Sequence, residues 1–206
     1  MNPGFPISLD VQGWPCLVLG GDQEAADKAQ RLLEAGAKVT VINPTLNDTL
    51  KKLTASAKVI HRGRMFRATD LPGVVLVLNC IRDDEEFSES LLAMARKEKF
   101  LLWSVDQPEA STVMMPAVVS RGHLRIAVST SGASPALASR IRQELEAVLG
   151  PEAAEFLAWL AELRNETKAT EADMVKRREI LTRAVEEFKL AGQVSYPLVW
   201  LDQRQA

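Results

Sequence analysis

The chain has 206 residues with 25 Lys and Arg against 27 Asp and Glu, a formal net charge of −2 and 47% hydrophobic content. That length suits one good-sized domain with a smaller appendage, and neither the apolar fraction nor the balanced charge fits a disordered chain. The same balance gives no general electrostatic reason to expect a nucleic-acid partner, and the longest apolar run, 73–80, is far too short to cross a bilayer.

The N-terminus, MNPGFPISLD, lacks the charged start and apolar stretch of a signal peptide, so a cytoplasmic protein without membrane attachment is expected. Short apolar runs then alternate with helical patterns to about residue 105, the signature of a parallel sheet covered by helices. Cys16 to Leu19 reads as a buried strand entering Gly20-Gly21. Ala25, Ala26, Ala29, Leu32 and Leu33 follow at helical spacing, with Gly36 as the stop. Val39 to Ile42 is the second strand, ended by Asn43-Pro44; Leu46 to Leu53 is a weaker helix and Lys58 to His61 a short strand. Val74 to Leu78 reads as a central parallel strand. A helix with Phe87, Leu91, Met94 and Ala95 inward then leads to the strand Phe100 to Val105.

The pattern changes after Asp106. Val113 to Ser120 and Leu124 to Ser129 form a hairpin about Arg121-Gly122-His123. Ser134 caps a helix with Pro135 at its first position and Leu137, Ile141, Leu145 and Val148 as its apolar stripe. Gly150-Pro151 stops it, and Ala153 to Arg164 and Glu171 to Leu190 read as two amphipathic helices joined by a polar loop. The expected class is α/β: a Rossmann-like domain over 1–112, a hairpin-and-helix dimerisation segment over 113–150, and a helical domain over 151–206.

Three stretches carry candidate chemistry. The first is a strand–turn–helix of the form G-x-G-x-x-A, with Gly20, Asp22 and Ala25. Its middle glycine, which lets a diphosphate approach the helix start, is here Asp22; that carboxylate can instead cap the helix itself, and Glu24 and Asp27 add negative charge. Asn43 stands where an acidic residue usually bonds a ribose, and it reads equally as a turn residue before Pro44. The second stretch places Asp106 at the carboxyl end of a strand, the ligand-binding edge of open α/β sheets. Trp103, Val105 and Pro108 would partly desolvate it and make it a better base, or it simply turns the chain. The third is Ser129, Thr130, Ser131, Gly132 and Ser134 before a helix start, donors suited to a carboxylate or phosphate or to capping. Arg140 and Arg142 lie farther along that helix as candidate carboxylate partners or solvated surface residues.

The cysteines, Cys16 and Cys80, each sit in an apolar stretch and read as buried thiols rather than a disulfide or metal pair. His61 and His123 have no neighbours at ligand spacing, so no bound metal is expected.

Together, "CLVLGGDQEAADKAQRLLEAGAKVTVINP" and "SVDQPEASTVMMPAVVSRGHLRIAVSTSGASPALASRIRQELE" resemble the precorrin-2 dehydrogenase, or sirohaem synthase N-terminal, family. The resemblance runs nearly the whole chain, and the V-D-x-P turn, M-P hairpin and S-G-x-S-P helix start are its most specific part. It implies oxidation of precorrin-2 to sirohydrochlorin with NAD, and in some members insertion of ferrous iron; ferrous or cobaltous ion is then a further substrate. It implies a homodimer joined through the hairpin and following helix, with the last helices helping to enclose the tetrapyrrole. It makes Asp106 the aspartate of both reactions. The nucleotide contacts fall on Gly20, Gly21, Asp22, Gln23, Glu24, Asn43, Pro44 and Thr45, with Cys80, Ile81 and Arg82 facing them; substrate contacts fall on Ser129, Thr130, Ser131, Gly132, Ser134 and Arg140. Thr130 stands where some sirohaem synthases have a serine that can be phosphorylated.

Two departures lie in the nucleotide half. The family's G-G-G-x-V-A is Gly20-Gly21-Asp22-Gln23-Glu24-Ala25, and its A-T-D segment is Cys80-Ile81-Arg82-Asp83. Arg82 is therefore expected to compensate for Asp22 by pairing with it or with a phosphate. The alternatives are a chelatase without dehydrogenase activity and a non-catalytic tetrapyrrole-binding protein.

Overall fold

The computed structural model describes residues 4–195. The chain divides into two compact units, Met1–Met115 and Pro116–Ala206.

The first unit is built on five parallel strands, β1 (Pro15–Leu19), β2 (Lys38–Ile42), β3 (Val59–Arg62), β4 (Leu76–Asn79) and β5 (Leu101–Ser104), in the order β3-β2-β1-β4-β5. Helices α1 (Gln23–Glu34), α2 (Asp48–Ala55) and α3 (Glu85–Glu98) make the crossovers. The strand order reverses between β1 and β4, which opens a crevice at their carboxyl ends.

The alternation of side chains along β1 explains why it is central. Cys16 and Val18 pack with Ala25, Ala29 and Leu32 of α1, whereas Leu17 and Leu19 pack with Leu91 and Ala95 of α3. Both faces are covered, so the strand reads as a continuous apolar run rather than an alternating one. Each fully buried leucine or valine here contributes about 1.5–3 kcal/mol. Gly36 ends α1 as expected: its N–H donates to the Leu33 carbonyl and that of Ala37 to the Leu32 carbonyl, with Gly36 at φ +79.

One charged cluster in this unit was not foreseen. Asp70, in a short 3-10 turn, has a side chain only 1% exposed and accepts hydrogen bonds from Arg62, from both Nη atoms of Arg64 and from the Arg67 backbone N–H. The Arg64 guanidinium, helped by the Arg67 N–H and Arg62, holds its carboxyl well below the usual carboxylate range. A depressed folded-state pKa means stability present above the unfolded value, about 3.9, and lost as pH falls through the folded one. Asp70→Ala should therefore cost about 2 kcal/mol near neutral pH, the loss of its charge-assisted hydrogen bonds being offset in part as the partly exposed arginines rehydrate. In urea unfolding, the difference from the parent protein should shrink below pH 4.

The second unit opens with an antiparallel hairpin of β6 (Ala117–Arg121) and β7 (Leu124–Val128), turning at Gly122-His123. Helices α4 (Pro135–Val148), α5 (Glu152–Thr170) and α6 (Met174–Arg183) follow. The hairpin and all three helices share this unit, where the sequence reading gave the hairpin and α4 a segment of their own.

Three elements differ from expectation by more than two residues, for local reasons. β6 starts at Ala117 rather than Val113, because the Thr112 and Val113 N–H groups donate to the Leu102 carbonyl and Pro116 has no N–H to offer. α5 runs through the expected polar loop to Thr170; the Thr167 and Thr170 hydroxyls bond back to the Leu163 and Glu166 carbonyls without breaking it. α6 is shorter than the expected Glu171 to Leu190, starting where the Asp173 carboxylate accepts from the Val175 and Lys176 N–H groups. Among the described residues no helix is long and apolar enough to cross a membrane.

Candidate active site at the carboxyl edge of the sheet

Three loops meet where β1, β4 and β5 end. β1 runs into Gly20-Gly21-Asp22, β4 into Cys80-Ile81-Arg82, and β5 into Val105-Asp106.

The glycine turn is fixed by space rather than by habit. Gly20 takes φ +128, and a side chain there would meet the Cys80 Cβ at 3.1 Å. At Gly21 a Cβ would lie 2.0 Å from the Thr45 carbonyl oxygen and 2.6 Å from the Asn43 Nδ2. Gly21 thus packs directly against the loop after β2, and its carbonyl accepts from the Asn47 N–H at 2.7 Å. Asp22 behaves as a cap: one carboxylate oxygen accepts from the Ala25 N–H at 3.0 Å. Gln23 donates to Asp27 at 2.7 Å and accepts from Asn47, while Glu24 pairs with Lys28 at 2.8 Å. Lys28, which sequence reasoning passed over, is buried and lies 4.4 Å from the centre of the Trp103 ring. The Glu24–Lys28 spacing of four was the available signal.

Arg82 joins these loops. Its Nη1 donates to Asp22 at 3.2 Å and its Nε to Asp106 at 3.3 Å, with Nη2 lying 3.9 Å from Glu24. The expected pairing of Arg82 with Asp22 is present, and the link to Asp106 was not anticipated. The Asp106 hydrogen bond, seconded by Asp22 and Glu24, raises the pKa of the guanidinium. Beneath it, fully buried Asn79 donates to Ser88 at 3.0 Å and to Ser104 at 3.5 Å, and accepts from the Ile81 N–H at 3.2 Å. Ser104 in turn donates to the Ala110 carbonyl, and its N–H to Ser111. One polar network therefore pins both the Arg82 and the Asp106 loops.

One expectation needs correction. Asp106 is not desolvated: its side chain is 79% exposed, because a φ of +56 turns the residue outward from the strand end. Cys80 is a buried thiol as expected, 3% exposed beneath Gly20, and burial, with Glu24 nearby, pushes its thiol up to about 12. Cys16 is also a buried free thiol, raised to about 11 by burial.

Asn43 sits at the end of β2, with its side-chain amide donating to the Thr45 carbonyl at 2.6 Å and its backbone carbonyl oxygen 2.9 Å from the His61 Nε2. Its side chain therefore shapes the Pro44-Thr45 loop against Gly21. Ile81 is half-buried and Pro44 and Thr45 are exposed.

In the second unit, the hydroxyl-rich loop is largely closed on itself. The Thr130 hydroxyl accepts from the Ser134 N–H at 3.1 Å and donates to the Ser134 carbonyl at 3.0 Å; the Ser129 hydroxyl accepts from the Ser131 N–H. Ser134 caps α4 through the Leu137 N–H, and Gly132 takes φ +82. Arg140 pairs with Glu144 one turn on. Leu137, Ile141 and Val148, three of the four residues of the apolar stripe on α4, are 52%, 38% and 49% exposed. Among the described residues, no group of three or more His, Cys, Asp or Glu side chains is placed to hold a metal ion.

A family model described as "Putative NAD(P)-binding" matches residues 7–117, more than half of the chain, and one described as "Sirohaem biosynthesis protein central" matches residues 121–147. The chain is similar to a siroheme synthase of Methylobacillus flagellatus, 33% identical over 193 residues that cover 92% of this chain and 41% of the relative. A siroheme synthase of Gluconacetobacter diazotrophicus is 35% identical over 186 residues, covering 87% of this chain and 39% of its own. The chain thus spans about two fifths of the length of these curated relatives. A solved structure titled "SirC, precorrin-2 dehydrogenase" shares the fold, with a TM-score of 0.75 at 24% identity, covering 89% of this chain and 90% of that one.

Proposed function

The chain belongs to the NAD(P)-binding family whose model spans its first unit, and from that premise we propose that it is an NAD-dependent precorrin-2 dehydrogenase. The observation that carries this reading is the meeting of a glycine turn and an exposed aspartate at the β1/β4 switch point, tied together by Arg82. The siroheme synthase relatives and the sirohaem-related match after residue 120 support a tetrapyrrole as the substrate.

The residues present fit a dinucleotide. Gly20 and Gly21 keep the turn free of side chains, so a diphosphate would meet its backbone. The start of α1 has N–H groups without intrahelical acceptors, of which Asp22 takes only that of Ala25. Arg82 offsets the charge of Asp22 at the point where phosphate would approach. Asn43 replaces the usual acidic residue at the end of β2 and offers the same hydrogen-bonding reach to a ribose hydroxyl without a charge.

A nicotinamide nucleotide, when bound, supplies the hydride acceptor. Asp106 serves as the base. As precorrin-2 loses a hydride from one carbon, the carboxylate takes a proton from the macrocycle and the product gains a double bond. Its high exposure leaves it accessible to a large ligand, and its left-handed backbone aims it away from the sheet. The same carboxylate can accept pyrrole N–H protons if ferrous or cobaltous ion is inserted as a second substrate. The Ser129 to Ser134 loop and Arg140 are the candidates for holding substrate carboxylates. The exposed stripe Leu137, Ile141 and Val148 supports a second copy of this chain as the partner.

The test is an absorbance assay of the purified protein with precorrin-2, with and without NAD or NADP, followed by ferrous or cobaltous ion. Sirohydrochlorin should form only when nucleotide is present, and light scattering should return the mass of two chains. Metal insertion into sirohydrochlorin without nucleotide-dependent oxidation would instead identify a chelatase, and tight porphyrinoid binding with no turnover a carrier.

A further inference from the structure

Arg82 holds an unusual position, since its one guanidinium is shared between the carboxylate that stands in the diphosphate turn and the carboxylate proposed to do the chemistry. Asp22 lies 3.2 Å from it on one side and Asp106 3.3 Å on the other, with Glu24 at 3.9 Å. Three carboxylates, Asp22, Glu24 and Asp106, lie within 4 Å of this one guanidinium, Asp83 and Asp84 follow it in sequence, and the basic Lys28 is already committed to Glu24 and to the Trp103 ring. A guanidinium offers five donors in a planar fork and suits a phosphate oxygen pair at least as well as two separate carboxylates. Resting on the nucleotide reading, we infer that Arg82 is a latch on Asp106, released when its fork turns to the cofactor's diphosphate.

Nucleotide and Asp106 then compete for one cation. The nucleotide must first detach Arg82 from Asp106, and Asp106 is left uncovered for the substrate proton once the nucleotide is in place. By linkage, whatever removes the charge of Asp106 must help the nucleotide bind. The latch thus assigns Arg82 a positioning role that neither a passive counter-ion for Asp22 nor a purely structural arginine would have.

The test is a double-mutant cycle read by calorimetric titration of NAD and, separately, NADP into the parent protein, Asp106→Asn, Arg82→Gln and the double variant, with Asp83→Asn as a control for the general field. Asp106→Asn should bind nucleotide about three- to fivefold more tightly, the scale of one exposed charge pair. That gain should vanish in the Arg82→Gln background, and Asp83→Asn should show less than half of it. An unchanged affinity in Asp106→Asn, a gain that persists without Arg82, or an equal gain in Asp83→Asn each overturns the latch. Absence of heat from both nucleotides in every protein overturns the cofactor reading itself, and the latch with it.

Discussion

Replacing Asp106 by asparagine should lower precorrin-2 turnover by about a hundred- to ten-thousandfold, the usual range for loss of a positioned general base. The substitution isolates the charge. Asp106 sits at φ +56, where asparagine is among the few residues other than glycine at ease, so the backbone has no reason to move. Alanine at the same place would add backbone strain and confuse a folding defect with a chemical one. The side chain is exposed, and among the described residues its charge is paired only with Arg82, so the melting temperature should stay within about 2 °C of the parent. Turnover retained at near-parental rate in the absorbance assay would remove Asp106 from the chemistry.

A second substitution acts on the other half of the crevice. Gly21→Ala should cost roughly 3 kcal/mol of stability and weaken nucleotide binding beyond detection, because the added methyl would lie 2.0 Å from the Thr45 carbonyl oxygen. The nearest atom is backbone, so no side-chain rotation relieves the clash. The Thr45 carbonyl is already held by the Asn43 amide, and the Asn47 N–H is donated to Gly21 itself, so the whole loop between β2 and α2 has to shift. The backbone at Gly21 is not left-handed, and the cost is therefore one of space alone. Gly132→Ala is the contrast: nothing lies within 4 Å of its added methyl, and only its φ of +82 resists the change. Urea unfolding should separate the two by the larger loss at Gly21; equal midpoints would show that the loop is softer than its contacts imply.

What the sequence made legible follows from which forces act locally. The strands were visible because burial on both faces writes an unbroken apolar run, as at Val18, Val77 and Leu102. Caps were visible because their chemistry is confined to a few neighbouring residues, as at Asp22 and Ser134. The pairing of Arg82 with Asp22 could be guessed because two anomalies of opposite charge fell on facing loops.

Other features depend on what the sheet brings together from far apart. The Asn79, Ser88 and Ser104 network spans three elements, and each residue alone looks like an ordinary small polar side chain. The Asp70 cluster with Arg62 and Arg64 reads as plain surface charge until the chain folds back. The exposure of Asp106 was misjudged for a related reason: apolar neighbours in sequence suggested a dry site, whereas the strand's end and a positive φ lift the side chain clear of them.

Cys80 remains directly under Gly20 as a thiol whose pKa is about 12. At physiological pH almost none of it is thiolate, and it is the thiolate that peroxides and maleimides attack. The floor of the crevice is therefore chemically quiet. Oxidative stress that disables enzymes with a reactive cysteine beside their cofactor should leave this turn unaltered.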